Sequence, residues 1–160
     1  MESHIFIISG LLSLLPISEL RGAIPYALAN GMPIALAYGY CVLLNALVGP
    51  FVFIFLSTLH KLFSVMAWYR RFFEALVVRA RKRITEKVEK FGYWGVVFFV
   101  SIPLPITGAY TGTLGAWVLG LEPKKTFLAV LTGVIIAGVV VSAVSYFGIE
   151  AFSIFTKNIR

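Results

Sequence analysis

The chain has 160 residues, of which 59% are hydrophobic and 13% are charged, and its mean hydropathy is +0.92. Soluble domains are roughly 45–50% apolar and about 25% charged, so this composition excludes an ordinary soluble domain and predicts a polytopic membrane protein. The formal net charge is +7, but nine of the fourteen Lys and Arg residues fall between positions 61 and 90. Apolar segments flank this basic stretch, which therefore indicates a cytoplasmic loop rather than a nucleic-acid-binding surface.

The first half of the chain contains two short apolar segments followed by a longer one. Residues 5–15 are too short to span a bilayer before a proline interrupts them, and the second segment, 20–30, ends at a Gly-Met-Pro turn at 31–33. Residues 34–59 are long enough to cross the membrane, and Pro50 predicts a kink in that crossing.

The basic stretch that follows predicts an amphipathic helix over residues 60–90. Apolar side chains recur there every three or four residues, opposite a basic face, and Trp68 suits the membrane interface. We expect this linker to lie on the cytoplasmic leaflet; the alternative is that it packs on another subunit. The pattern leaves open whether it is one helix or two.

The second half repeats the plan of the first. A short apolar segment, 91–102, is broken by Pro103 and Pro105, a second segment covers 109–119, and residues 126–147 form the second full crossing. We therefore predict a single membrane domain, with residues 1–59 as the first repeat, 60–90 as the linker helix and 91–160 as the second repeat.

An internal duplication is visible in the residues themselves. A shift of 89 positions brings Leu-Pro-Ile-Ser at 15–18 onto Leu-Pro-Ile-Thr at 104–107. The same shift aligns small residues spaced four apart, which let helices approach closely in lipid. These are Ala23, Ala27 and Gly31 in the first half and Gly112, Ala116 and Gly120 in the second. Ala129, Gly133 and Ala137 form a further ridge of this kind.

Two architectures fit this duplication. The expected fold class is an all-α polytopic membrane protein of two halves, each a re-entrant broken-helix hairpin plus one full transmembrane helix, arranged as an inverted repeat. The alternative has four kinked full spans and parallel halves. We favour the hairpins, because non-helical backbone at membrane depth must be covered by protein or water and two opposed tips cover each other. This topology puts Lys124 and Lys125 in the cytoplasm and the C-terminus outside.

The two short loops carry the residues with chemistry. Glu19 and Arg21 lie between two prolines in an apolar segment, and charges in such a place are costly and mark functional sites. Ser18 and Thr107 hold equivalent repeat positions and are predicted N-caps, so two helix N-termini would favour an anion. Glu19 either stabilises the loop, for instance by pairing with Arg21, or binds and releases a proton.

The predicted substrate- or proton-binding residues are Ser18, Glu19, Arg21, Asn45, Thr107, Tyr110 and Thr111. The predicted structural residues of the loops are Pro16, Gly22, Pro25, Pro103, Pro105, Gly108 and Gly112. The alternative for Asn45 is a hydrogen bond to a neighbouring helix, and the alternative for the hydroxyls is satisfaction of the loop backbone.

Residues 19–25 and 103–112 resemble the two signatures of the putative small multidrug export protein family, and Asn45 resembles the asparagine of that family's first full span. That family is similar to the DedA-type (VTT-domain) membrane proteins, which pair two re-entrant hairpins and are implicated in lipid-phosphate translocation. The resemblance implies the inverted-hairpin fold. The chain departs from the DedA pattern at 103–112, where it carries no charged residue and DedA-type proteins typically carry arginine.

We expect a transporter of a small molecule or lipid, proton-linked or passive, with its site between the two loops at the membrane midplane. The alternatives are a DedA-type lipid-phosphate flippase or scramblase and a non-transporting membrane scaffold. The chain has no Asp and no His/Cys cluster, so we expect no enzyme activity, no metal and no cofactor. The expected partners are the bilayer of a prokaryotic inner membrane, a small-molecule or lipid substrate, for which the helix N-termini favour an anion, and a second copy of the chain; no nucleic acid is expected.

Overall fold

The computed structural model describes residues 3–63, 65–68, 70, 71, 73–75, 78, 91–104 and 107–157. Within these residues the secondary structure is helical, as the composition predicts, and no strand occurs. The helices are α1 (Ser3–Leu14), α2 (Glu19–Ala29), α3 (Ile34–Ala46), α4 (Val48–Phe63), α5 (Tyr93–Ser101), α6 (Ala109–Val118) and α7 (Pro123–Lys157).

Two helical segments are long and apolar enough to cross a membrane, Ile34–Thr58 and Pro123–Ile149, in agreement with the predicted crossings. The first is interrupted at Leu47, between α3 and α4. Pro50 has no N–H to donate to the carbonyl of Ala46, four residues earlier, and α3 ends at that residue. The interruption therefore lies where Pro50 predicts a kink.

The chain divides into two compact units, Met1–Asn45 with Ile135–Arg160, and Ala46–Val134. The division falls after residues 45 and 134, which are 89 positions apart, the spacing of the sequence repeat. Each unit therefore holds the two short helices of one half and the first part of the long helical segment that follows them. It also holds the second part of the other half's long segment.

In the first unit, α1 and α2 pack against each other as a helical hairpin. Ile5, near the start of α1, belongs to the same apolar cluster as Ala27, near the end of α2. If the two helices were collinear, these residues would be about 33 Å apart at 1.5 Å per residue. The fold-back is the local geometry expected of a broken-helix hairpin. Because the 12 residues of α1 rise only about 18 Å, that helix is shorter than a hydrocarbon core of about 30 Å.

In the second unit, α5 and α6 also pack together. A Cβ added at Gly112 of α6 would overlap the side chain of Val100 and approach that of Val96, so the missing side chain permits the contact. Helix α4 packs beside α6 through a buried cluster that contains Leu56 and Leu114.

The duplication is also present in the hydrogen bonds that end α2 and α6. Gly31 (φ 85°) and Gly120 (φ 71°) take the left-handed conformation directly after these helices. In both turns the N–H of the residue after the glycine donates to the carbonyl five residues earlier, at 3.0 Å. This is the Schellman arrangement, and its recurrence at a spacing of 89 residues supports the repeat predicted from the sequence.

The small-residue ridge of α7 makes the close contacts predicted for it. Ala129 is fully buried, and a Cβ added at Gly133 would lie 2.5 Å from Cβ of Val100 and 3.1 Å from the carbonyl oxygen of Val97. This part of the ridge is therefore used inside the second unit.

Most of the predicted linker helix, 60–90, lies outside the described residues, as do Pro105 and residues 158–160. Of the part that is described, Trp68 is 77% exposed and Phe73 is buried. Phe73 packs in the cluster of Leu56 and Leu114, so one member of the predicted apolar face contacts helices of its own chain.

Candidate functional site

The break between α1 and α2 is stabilised by a side-chain hydrogen bond that replaces a missing backbone donor. Pro16 has no N–H for the carbonyl of Leu12, and the Ser18 hydroxyl donates to that carbonyl instead, at 2.5 Å. Ser18 occupies the N-cap position of α2, as predicted, but its side chain makes no capping bond. The prediction that its hydroxyl caps the helix is wrong, because the hydroxyl is hydrogen-bonded to the Leu12 carbonyl instead.

Thr107 has an equivalent function at the second break. Its hydroxyl lies 2.5 Å from the carbonyl oxygen of Ile102 and 2.8 Å from that of Leu104, and it accepts the Leu104 N–H at 3.0 Å. One hydroxyl proton serves one of the two carbonyls at a time. The N-cap of α6 is Gly108 rather than Thr107, so the predicted cap is wrong here as well.

Glu19 is the first residue of α2, and it is both buried and held in an unusual backbone conformation. Only 6% of its surface is exposed. Its φ is 45°, and it is the one non-glycine residue with positive φ in the described part of the chain. A residue with a Cβ pays roughly 1–2 kcal/mol for this conformation, and such strain is concentrated at functional sites.

Arg21 follows on the same helix and is half-buried. Glu19 and Arg21 both take part in interactions with their surroundings, so neither is an isolated charge. Gly22 and Pro25 lie inside α2 rather than in the loop predicted for them. A Cβ at Gly22 would lie 2.8 Å from Cβ of Ser18, so glycine is required for the tight turn of chain that leads into α2.

Asn45 connects α3 to the end of α1. Its side chain is 1% exposed, and its Nδ2 donates to the carbonyl of Ser13 at 2.7 Å. That carbonyl belongs to the last turn of α1, where intrahelical donors run out. The structure therefore shows the alternative that the sequence left open for Asn45, a hydrogen bond to a neighbouring helix.

Sequence reasoning missed a line of polar side chains on α1 that leads to the break. Ser9 donates to the carbonyl of Ile5 at 2.6 Å, Ser13 donates to that of Ser9 at 2.9 Å, and both serines are fully buried. From α3, the Tyr40 hydroxyl donates to the carbonyl of Phe6 at 3.0 Å. The available signal was the spacing of four between the serines, which places both on one face of an apolar helix.

The second loop offers hydroxyls that serve their own backbone. Thr113 donates to the carbonyl of Ala109 at 2.7 Å, and Thr111 lies 3.5 Å from that of Gly108. Tyr110 is half-buried on α6, and Gly112 lies inside the same helix rather than in the loop. These residues belong to the second unit, and the residues of the first hairpin belong to the first unit.

Among the described residues, no group of three His, Cys, Asp or Glu side chains is placed to hold a metal ion. Comparison with known proteins gives one family match. A family model described as "putative small multi-drug export protein" matches residues 19–140, from the first residue of α2 into α7. No curated protein and no solved structure matches the chain.

Proposed function

The chain belongs to the putative small multi-drug export protein family, and from this membership we propose that it is a membrane transporter that exports small molecules, with Glu19 as the residue that binds and releases the coupling proton. The family description supports export, and the two apolar helices long enough to span a bilayer support residence in a membrane. The further assignment rests on the geometry of the first break.

The observation that carries this proposal is the buried, backbone-strained carboxyl group of Glu19. An acidic side chain inside an apolar membrane segment is expensive and is retained mainly where ions, protons or substrates move. A carboxyl group at a helix break can change both its protonation and its local backbone without disturbing a regular helix. Arg21, two residues further along α2, supplies a permanently charged guanidinium group close to the same break.

We further propose that each hairpin enters and leaves the membrane on one side, so that the halves form an inverted repeat with the two breaks at membrane depth. The 18 Å length of α1 and its packing on α2 support this, because a single kinked span would place the two helices end to end. Two hairpins and two crossings enclose little volume, which favours a homodimer in the prokaryotic inner membrane.

The test is transport by the purified full-length chain in proteoliposomes under an imposed pH gradient, with the fluorescent cation ethidium as the probe. We expect wild-type protein to move ethidium faster than protein-free liposomes do, and Glu19→Gln to reduce the rate to that of protein-free liposomes. Glu19→Asp keeps a titratable group and should retain part of the rate.

Glu122→Gln is the matched control, because Glu122 is an exposed carboxylate paired with Lys125 at 3.3 Å. This variant should keep the wild-type rate. Wild-type transport by a folded Glu19→Gln variant would refute the coupling role, and ethidium movement no faster than in empty liposomes would contradict multidrug export.

A further inference from the structure

The three tryptophans of the chain gather at one end of the second unit. Trp117 lies in the last turn of α6, and its ring meets that of Phe73 with the centroids 6.1 Å apart. Trp68 precedes Phe73 by five residues, which is about 8 Å of helix. Trp94 lies in the first turn of α5, and because α5 and α6 pack together as a hairpin, the start of α5 and the end of α6 lie at its open end.

The helical segment around Phe73 turns one face to its own unit and the opposite face outward. Residues 67, 68, 70, 71 and 73–75 are helical. Phe73 is buried, and at about 100° per residue the side chains of Trp68 and Arg71 project within about 40° of the opposite direction. Trp68 is 77% exposed, and Arg71 is exposed as well. We call this outward face, which combines a large aromatic ring with a guanidinium group, the Trp68–Arg71 surface.

The contacts of Phe73 place this surface where the first crossing ends. Phe73 packs with Leu56 of α4 and Leu114 of α6 in one buried cluster. The apolar crossing that contains Leu56 ends at Thr58, so Leu56 lies about 3 Å of helix rise from that end. In membrane proteins, tryptophan rings and basic side chains concentrate at this level, where apolar chains meet charged head groups. The Trp68–Arg71 surface therefore lies at the boundary between the apolar and polar layers of the bilayer.

The charge of this surface favours an anionic partner. Nine of the fourteen Lys and Arg residues fall between positions 61 and 90. The Nε of Arg70 lies 3.6 Å from the carboxylate of Glu74, whereas Arg71 has no acidic partner among the residues that the structure describes. An acidic protein would match the charge alone. Anionic lipid matches the charge and also the apolar ring of Trp68 at this level.

From these observations we propose that the Trp68–Arg71 surface binds anionic phospholipid of the leaflet in which the first crossing ends. The Trp68 ring packs against the glycerol region and the upper acyl chains, and the Arg71 guanidinium donates paired hydrogen bonds to a phosphate group. Trp94, which is 59% exposed at the same end of the unit, extends the aromatic contact with that layer. This inference rests on residence in a membrane and is independent of transport at Glu19.

The test measures which lipids contact Trp68 when the full-length chain is in liposomes. In a Trp94→Phe/Trp117→Phe background Trp68 is the one tryptophan, and lipids with brominated acyl chains quench its fluorescence. Two preparations contain the same mixture of phosphatidylglycerol and phosphatidylcholine, and only one of the two lipids is brominated in each. We expect brominated phosphatidylglycerol to quench more strongly than brominated phosphatidylcholine. Arg71→Gln should lower this preference about fivefold, the effect of losing the head-group attraction of one basic residue.

Arg70→Gln is the matched control, because it removes the same charge from the neighbouring residue. It should lower the preference much less, since Glu74 already compensates Arg70. Equal quenching by the two brominated lipids would overturn the proposal. Equal losses in the two arginine variants would also overturn it, because the net charge of the segment would then act without a defined surface. Quenching by neither lipid would mean that a second copy of the chain or water covers Trp68, and the proposal would fail.

A spin label provides a second measurement if the double tryptophan variant does not fold. In a Cys41→Ala background, Trp68→Cys carries the label, and the other two tryptophans stay in place. We expect the label to be more accessible to oxygen, which dissolves in the bilayer, than to a water-soluble nickel chelate. Greater accessibility to the nickel chelate would place position 68 in water and overturn the proposal.

Discussion

The backbone conformation of Glu19 predicts that glycine is more stable than alanine at this position, the reverse of their usual order in a helix. Glu19→Ala and Glu19→Gly both remove the side chain and its interactions, so their difference reports the backbone alone. A residue with a Cβ pays about 1–2 kcal/mol at the φ of 45° found here, and glycine pays about 0.5–1 kcal/mol in extra backbone entropy. The glycine variant should therefore be the more stable of the two by about 1 kcal/mol.

The assay is thermal unfolding of the purified full-length variants in the same detergent. For a chain of this length, about 1 kcal/mol corresponds to a difference of about 3 °C in melting temperature. Ala23→Gly is the matched control, because Ala23 is fully buried inside α2. There glycine should be less stable than alanine by at least about 1 kcal/mol, as in any right-handed helix.

A glycine variant at position 19 that is about 1 kcal/mol less stable than the alanine variant would refute this reasoning. Such a result would mean that residue 19 continues an ordinary right-handed helix. The burial of the carboxyl group would then be the only unusual property of the site, and the argument from backbone strain would fail.

Three further predictions follow from other contacts. Ser18→Ala should lower the free energy of unfolding by about 1–3 kcal/mol, because the Leu12 carbonyl loses its hydrogen-bond donor. Ser18→Thr keeps a hydroxyl and should retain stability. Gly112→Ala should lower the free energy of unfolding by about 1–3 kcal/mol, because the added Cβ overlaps Val100. Gly39→Ala is the control and should be neutral or stabilising, because an added Cβ there has no neighbour within 4 Å. Thermal unfolding of both variants measures the difference. In a Cys41→Ala background, a cysteine at position 124 should react with an impermeant maleimide from the cytoplasmic side and one at 160 from the outside; the same side for both would contradict the inverted repeat.

The positions of the helices were predictable because prolines and glycines mark the helix ends and runs of apolar residues mark the membrane segments. Prolines and glycines ended the four short predicted segments within a residue or two of the observed ends, and Pro50 identified the interruption at Leu47. The second crossing was predicted too short, because α7 continues to Lys157, ten residues beyond the predicted end at 147. The duplication was predictable for the same reason, since Gly31 and Gly120 are equivalent positions that both require the left-handed conformation.

The functions of the loop hydroxyls were not predictable from residue preferences alone. Serine and threonine before a helix usually accept hydrogen bonds from its first N–H groups, but here their hydroxyls donate to carbonyls that lack a backbone donor. Pro16 removed the donor to Leu12, and Ser18 replaced it. Which polar group is left without a partner depends on the three-dimensional path of the break, and that path is not encoded in any single residue.

The backbone strain at Glu19 and the serine line on α1 were missed for different reasons. A positive φ at glutamate follows from the geometry of the break, and the identity of the side chain gives no sign of it. Ser9 and Ser13 look like neutral residues in an apolar helix until the hydrogen bonds along α1 and the contact of Asn45 with Ser13 are known.

The most direct test of the coupling role of Glu19 is proton movement during transport. Liposomes that contain the pH indicator pyranine start with equal pH on both sides, and an outward gradient of ethidium is imposed. We predict that wild-type protein changes the internal pH as ethidium leaves and that Glu19→Gln abolishes the change. Two results would contradict the account. One is ethidium export by wild-type protein without proton movement, and the other is a pH change in Glu19→Gln as large as that of the wild type.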